Sequence, residues 1–577
     1  MSRRKRKASY WQDAPLPREQ LVLIPTALEA MIGADHPVRL VDEILDRLDW
    51  TRWEAAYDGG RGQPPIHPSV MSKVLLFAMI RRIRSSRQIE YELKHSIDFM
   101  WLTSGRKIDH TTLSEFRRKH SAELRDIFRQ MVKLAIDLKI ANLAELCIDG
   151  TRVLADANRY KTWTTERLAR ALEQLDSQIA AALASLEAND SVEEDLFGDD
   201  VSADRLPAAV SDLKSRREQL AELMKTTQEM DETRQKNGSK GPAQLPKTDP
   251  DSRILPNKEG GYASNFTPMA VTETAGGLIV DCEVVIGNVE HNQFCTIVDA
   301  VRSNFDASVE RVLVDSAYTT GKNLAAAEEK AIELIGPLAE TKCENNPALR
   351  DDLTQPVADA DLDRLPINPQ TKRFDKSAFV YDEAADCYYC PAGKTLPHRT
   401  TENTTHGCGT PVQRHVYTCQ DCFGCPLANR CRQNPESKRG REVMHDEHEG
   451  ARRRHRTRMQ TTAAQEAYSR RSHHGELPFA VIKVMFDLRR FLLRGIEGVG
   501  QEWRWASTAF NLKKLMRAWN ALRATFSSPT LATSNERVQA LACAHPHRLT
   551  LSPNKPGKPK TPNPPRSHNP KPHQPPS

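Results

Sequence analysis

Two short apolar runs that each end in an aspartate, Leu146-Cys147-Ile148-Asp149-Gly150 and Val312-Leu313-Val314-Asp315-Ser316, constrain this chain more than any other feature. A continuous apolar run bounded by turn residues suits a strand buried on both faces. Two such strands, distant in sequence but joined in one sheet, can bring their carboxylates to one edge. Facing carboxylates can hold divalent cations whose charge stabilises both the attacking and the leaving oxygen of an in-line phosphodiester displacement. Either aspartate alone is also what a turn or helix cap would use, because Asp side chains accept backbone N–H bonds there. Two further acids compete for the role: Asp156, just past the first run, and Asp281, inside an alternating strand.

A third element shifts the balance. Far downstream, Tyr468, Arg471, Glu476 and Lys483 lie on a basic helical segment, followed by Arg489, Arg490, Arg494, Glu502-Trp503 and Asn511-Leu512. These residues resemble the Tyr-x2-Arg-x3-Glu-x6-Lys signature of the DDE transposases of bacterial insertion sequences. Tyr468 to Arg471 and Glu476 to Lys483 keep that spacing, whereas Arg471 to Glu476 is one residue longer. The N-terminal succession Gly60-Arg61-Gly62-Gln63-Pro64-Pro65, His67-Pro68, Ser85 to Glu90, Asp109 to Leu113 and Phe116-Arg117 looks like the DNA-binding domain of many such enzymes. The resemblance runs in order over roughly residues 20 to 525, far more specific than one motif. A charged insertion after the first Asp and a cysteine cluster before the Glu point to one subgroup.

The resemblance implies a DNA transposase that binds terminal inverted repeats and performs metal-dependent strand cleavage and strand transfer. Asp149, Asp315 and Glu476 would hold Mg²⁺ or Mn²⁺, with Glu466 and Glu497 as reserves for the third acid. Tyr468, Arg471 and Lys483 would bind phosphates of the transposon end, and Arg87 and Arg117 would serve the N-terminal DNA-binding domain. No covalent protein–DNA intermediate is required. The implied partners are double-stranded terminal repeats and target DNA, with at least a homodimer in the synaptic complex. The alternatives are a catalytically inactive, transposase-derived DNA-binding protein and a metal-dependent nuclease that cannot join strands.

The expected fold is α/β: a ribonuclease H-like core interrupted by a helical hairpin and a Cys-rich insertion, preceded by an all-α DNA-binding domain. Along the chain this gives a disordered basic arm over 1–20, a helical domain over 21–140 and the first part of the core over 141–340. The helical insertion occupies 161–245, the Cys-rich insertion 341–450, the last core helices with Glu476 451–530, and a disordered Pro/Lys-rich tail 531–577. Hairpin leucines at helical spacing, Leu168, Leu172, Leu175 and Leu186, suit a structural element rather than a cofactor site. Thr111 or Ser114 is the candidate cap of a helix over 109–138. Pro478 predicts a kink or a restart near Leu477.

The 577 residues carry 82 basic and 76 acidic side chains, a formal charge of only +6. Distribution says more than balance. Basic runs at Arg3 to Lys7, Arg81-Arg82-Ile83-Arg84, Arg452 to Arg458, Arg470-Arg471 and Arg489-Arg490 would hold a polyanion. The same runs could equally be solvated surface. No apolar stretch has the length of a secretory signal or a membrane span, so a cytoplasmic, nucleoid-associated protein without membrane contact is expected.

Of twelve cysteines, Cys147, Cys282, Cys295, Cys343 and Cys543 are scattered thiols. The others cluster as Cys387-x2-Cys390 and Cys419-x2-Cys422-x2-Cys425-x5-Cys431, with Cys408 between. Paired CxxC motifs can offer four thiolates to a structural Zn²⁺. The surplus of ligands prevents a unique choice, and Cys387, Cys390, Cys422 and Cys425 are the preferred four.

Overall fold

A computed structural model of the protein describes residues 27–57, 64–197, 208–236, 238–239, 241–257, 260–338, 346–405 and 411–526. The basic arm 1–20, the Gly60 to Gln63 motif, Cys343, Cys408, Cys543 and the tail 531–577 lie outside the described residues.

The N-terminal part is helical: α1 (Pro37–Leu45), α2 (Pro68–Ile80), α3 (Ser86–His95), α4 (His110–Arg118) and α5 (Ser121–Asp137). Pro68 opens α2, where its missing N–H leaves no bond unmade, and His67 Nδ1 accepts from the Ser69 amide at 3.2 Å. From Met71 to Met79 every side chain of α2 is buried, so this helix is a core element rather than a surface reader. The cap of α4 is Asp109 and not Thr111 or Ser114. Its Oδ1 accepts from the Thr111 and Thr112 amides at 2.8 and 2.9 Å, which with the Thr112 hydroxyl brings the Asp109 carboxyl down to about 2.

The central sheet begins with β1 (Glu145–Gly150). After it the chain leaves as two long helices, α6 (Thr165–Phe197) and α7 (Ala208–Lys236), which pack through Leu168, Leu175, Ile179 and Leu220. It returns as β2 (Tyr262–Glu273) and β3 (Ile279–Val285), then α8 (Phe294–Phe305), β4 (Arg311–Leu313), α9 (Gly321–Glu329) and β5 (Glu333–Ile335). Spatially the strands run β3, β2, β1, β4, β5. The first three are antiparallel neighbours, and β4 and β5 lie parallel to β1. Short segments Val153–Leu154 and Arg253–Pro256 pair with the other end of β2.

A second antiparallel sheet follows, β6 (Val380–Asp382), β7 (Cys387–Tyr389), β8 (Thr395–Thr405), β9 (Pro411–Thr418) and β10 (Glu442–Asp446), with its own core around Phe374, Phe379, Tyr388, Leu396 and Tyr417. Then come α10 (Glu449–Met459), α11 (Thr462–Ala480), a π-helical turn at Val481–Met485 and α12 (Gly495–Phe526).

Helix α12 ties the parts together. Trp503, Trp505, Ala509, Phe510, Leu512 and Leu515 are buried along it, and the Trp503 indole N–H donates to the Met269 carbonyl at 2.8 Å. Asn511 pairs with the backbone of β3, donating to the Ile279 carbonyl at 2.7 Å and accepting its amide at 2.9 Å. That occupies hydrogen-bonding groups on a strand that would otherwise offer an open edge. These tryptophans therefore pack into the core. Among the described residues no helix is long and apolar enough to cross a membrane.

Two basic runs turn out to be internal connectors. In α10, Arg452 binds Asp446 (Nη2 to Oδ2, 2.6 Å), Arg454 binds Glu328 at 2.6 Å and Arg453 lies 3.7 Å from Glu383. His455 is buried, with Nε2 2.7 Å from the Gly336 carbonyl. These contacts fasten the second sheet to α9 and the first sheet, leaving much less free charge for a polyanion than the sequence suggests. In the Arg81 to Arg84 run, Arg81 bonds Asp98 at 2.7 Å and Arg84 turns inward to Glu502 at 2.6 Å.

Candidate catalytic site

Strand register explains why the two aspartates meet. Cys147 of β1 stands beside Leu313 of β4 in a parallel pair, and Asp149 and Asp315 each lie two residues beyond that pair. Both carboxylates therefore emerge at the same end of adjacent strands. Asp149 is 8% exposed. Its Oδ1 accepts from the Gly150 amide at 2.8 Å, while Asp315 Oδ1 accepts from the Ala317 amide at 2.9 Å.

Arg471 reaches between them from α11. Its Nη2 is 3.1 Å from Asp149 Oδ1 and 4.0 Å from Asp315 Oδ2. Burial works against the guanidinium charge, but Asp149, Cys147 and Asp315 beside it outweigh that and raise its pKa. Below it the Cys147 thiol donates to the Arg471 carbonyl at 3.8 Å, and burial pushes that thiol up to about 12, so it stays protonated and inert.

Helix α11 crosses β1 at Gly475. A Cβ there would stand 3.0 Å from Asp149 Oδ2 and 3.3 Å from Cys147 Sγ, so glycine lets the helix lie this close without displacing either side chain. Glu476 is the next residue and is exposed to solvent. Pro478 does not break the helix: α11 continues to Ala480. A π-helical turn follows it, a feature frequent at functional sites. Lys483, inside that turn, donates to Thr151 Oγ1 at 2.6 Å and to the Arg152 carbonyl at 2.7 Å. It is thereby pinned to the turn just past Asp149.

Gly475→Val is expected to lower cleavage about 100-fold while leaving the fold intact, because a branched side chain would lift α11 off the carboxylates and a displacement near 1 Å is enough for such a loss. Circular dichroism together with a nicking assay separates that outcome from simple misfolding.

The rival acids are accounted for. Asp156 is ion-paired with Arg494, 2.7 Å away. Asp281 shares a cross-strand row with Val271 and Ile148, whereas Asp149 shares one with Ala270 and Cys282. Successive rows face opposite sides of a sheet, so Asp281 projects away from Asp149. Burial and then Glu283 raise the Asp281 carboxyl to about 6. With the native pKa above the unfolded one, the native state binds the extra proton, and stability is lost as pH rises from about 4 through 6. Asp281→Asn should flatten that slope, matching the parent near pH 4 and exceeding it near pH 7 in urea midpoints.

The sequence did not point to two neighbours of the site. Glu290, in a short turn after β3, has Oε1 3.5 Å from Arg152 Nη2 and a buried Oε2 with no hydrogen-bond partner among the described residues. Tyr318, 1% exposed, has an unpartnered hydroxyl, and burial followed by Glu290, Asp315 and Asp149 raises its pKa. Only proximity in the folded chain reveals either residue. Among the described residues no three Asp, Glu, His or Cys side chains already stand gathered around one ion position.

The remaining expected DNA contacts divide. Arg87 is exposed on α3. Arg117 is not available: it is buried and donates to the Arg84 carbonyl at 2.7 Å. Leu113, Phe116 and Arg117 share one face of α4 and all three are buried, so this arginine belongs to the core. Tyr468 packs with Met459 onto Cys147, Leu313 and Ile335. A cleft of about 500 Å³ beside the strand segment Val153–Leu154 is lined by Arg159, Lys161, Arg490 and Arg494, and Arg159, Lys161 and Arg490 are exposed.

Two family models match parts of this chain. Residues 26–119 match a transposase domain family of the DUF772 type, and residues 389–516 match a transposase DDE domain family. The second span contains Arg471, Glu476 and Lys483; Asp149 and Asp315 lie outside both. No curated protein matches significantly. Among solved structures, a piggyBac transposase synaptic complex with hairpin DNA aligns over 90% of this chain and 86% of that one, at 10% identity and a TM-score of 0.22. Two transposase family models thus match in order along this chain, the second a DDE domain, and together they support an insertion-sequence DDE transposase.

Proposed function

We propose that this transposase binds the terminal inverted repeats of its own element and cuts and joins DNA at the edge formed by Asp149 and Asp315, in a ribonuclease H-like sheet. Three antiparallel strands followed by two helix–strand units parallel to β1 support that fold. The observation that carries the function is the shared cation: two carboxylates from neighbouring strands converge on one guanidinium nitrogen. A pair of hard oxygen donors already directed at positive charge fits Mg²⁺ or Mn²⁺. Asp149 and Asp315 would hold the metal with Glu476 as the third donor from α11, and when bound it would supply charge stabilisation to the reacting oxygens.

The protein's own residues position the DNA. Lys483, fixed one turn from Asp149, would contact the phosphate next to the scissile bond. Arg159, Lys161 and Arg490 would track the backbone along their cleft, giving salt-dependent affinity. In the first step water attacks phosphorus and the 3′-oxygen leaves as a hydroxyl. In the second, that hydroxyl attacks a target phosphodiester and displaces the target's own 3′-oxygen, so the number of phosphodiester bonds is conserved. Bringing two ends together calls for at least two copies of the chain.

The test is incubation of a labelled duplex carrying the flanking terminal repeat, plus a target plasmid, with Mg²⁺ or Mn²⁺. The expected products are nicks with 3′-hydroxyls at the repeat end and strands joined to the plasmid. Specific binding without cutting under either ion would favour a DNA-binding protein that has lost catalysis. Cutting without joining would favour a nuclease.

A further inference from the structure

We propose that Cys390, Cys422, Cys425 and Cys431 hold one structural Zn²⁺ that fixes the second sheet. A cavity of about 20 Å³ is lined by Cys390, Cys419, Cys422, Cys425 and Cys431 and walled by Phe374, Phe379 and Leu427. That volume admits a single ion or water and no cluster. Water in it would meet mostly sulfur and hydrocarbon, which are poor partners, whereas thiolates bind zinc as a closed tetrahedral site.

The loops around the cavity are built as ligand turns. Cys422 and Cys425 flank a tight turn in which Gly424 adopts φ +66° and the Cys425 amide approaches the Cys422 carbonyl at 3.4 Å. Across the cavity, Gly393 at φ +76° lets the chain fold back so that the Lys394 amide donates to Cys390 Sγ at 3.3 Å. The Arg441 amide donates to Cys422 Sγ, also at 3.3 Å. Amide donors on sulfur favour the thiolate and orient it. Cys431 ends the short helix Ala428–Cys431 and closes the remaining side, with Cys422, Cys390 and Cys425 as its electrostatic neighbours. Arg432 is buried and donates to the Cys422 carbonyl at 2.8 Å, placing positive charge beside a site with two net negative charges.

The two other candidates fall away on geometry. Cys387 lies on β7 three residues before Cys390, an odd offset that sends its side chain to the opposite face, and it does not line the cavity. Cys419, just past β9, also lines the cavity but is engaged in a hydrogen bond to the Cys422 sulfur. Among the described residues no three such side chains already stand placed to hold an ion, so binding draws the four cysteines inward and releases their protons. Nothing in this site depends on the catalytic reading.

Elemental analysis of the full chain, purified without chelator or nickel resin, is expected to give about one zinc per chain. Cys390→Ser, Cys422→Ser, Cys425→Ser and Cys431→Ser should each lower that content at least about 10-fold, while Cys387→Ser and Cys419→Ser retain it. Cobalt added to metal-stripped protein should give the absorption bands of tetrahedral thiolate coordination. If the serine variants prove insoluble, thiol titration of the parent decides: the four thiols should react at least about 10-fold faster once zinc is removed. Iron with inorganic sulfide, absence of both zinc and a cobalt–thiolate spectrum, or equal loss of zinc in Cys387→Ser would overturn the proposal.

Discussion

Asp149→Asn and Asp315→Asn are each expected to lower strand cleavage by at least about 1,000-fold, some 4 kcal/mol of barrier, with repeat binding unchanged. Asparagine keeps the size and the acceptor oxygen, so the bonds from the Gly150 and Ala317 amides survive and the strand ends keep their shape. What disappears is the negative charge that meets Arg471 and that a divalent cation requires. Gel-shift and nicking assays on the same preparation read both quantities, and cleavage surviving in either variant would remove that aspartate from the chemistry. Glu476→Gln should fall equally far. Should it retain activity, Glu290 becomes the next third acid, ahead of Glu466 or Glu497, because its buried Oε2 has no hydrogen-bond partner among the described residues and its charge acts on Tyr318 together with those of Asp149 and Asp315.

How much of this was legible depended on whether the deciding partner was local. The strands ending at Asp149 and Asp315 could be read because apolar runs and turn residues are local signals. Their lateral meeting was not local: it rests on the pairing of Cys147 with Leu313, 166 positions away. The same distance effect hid the true role of α10, whose arginines find Glu328, Glu383 and Asp446 from other elements. Arg117 was misread for a different reason. Its helix periodicity with Leu113 and Phe116 marked a buried face, but guanidinium beside a transposase motif suggested DNA. Cys387 was favoured by a CxxC spacing that would bring two sulfurs together in a turn; on strand β7 the identical spacing separates them.

Glu502→Ala is expected to destabilise the protein by about 3–5 kcal/mol, the range for removing one partner of a buried ion pair. Glu502 has a side chain only 1% exposed and accepts three bonds, from Arg84 Nη2 at 2.6 Å and from the Leu492 and Leu493 amides at 2.8 and 3.0 Å. Arg84 in turn donates to the Asp487 carbonyl at 2.7 Å, and buried Arg117 lies within the field of both. Two guanidiniums from the N-terminal helices thus depend on one carboxylate from α12. Its removal leaves buried Arg117 and largely enclosed Arg84 without their carboxylate and two backbone amides without their acceptor, a cost that comes from what remains rather than from the bond deleted. The double variant Arg84→Ala/Glu502→Ala should therefore lose less than the sum of the single variants. At the same interface Trp53 stacks on Phe116 and Trp505 meets it at a tilt, at 5.1 and 6.2 Å between ring centroids. Tryptophan fluorescence in urea consequently reports this junction directly. Additive losses would mean that Arg84 and Glu502 act independently.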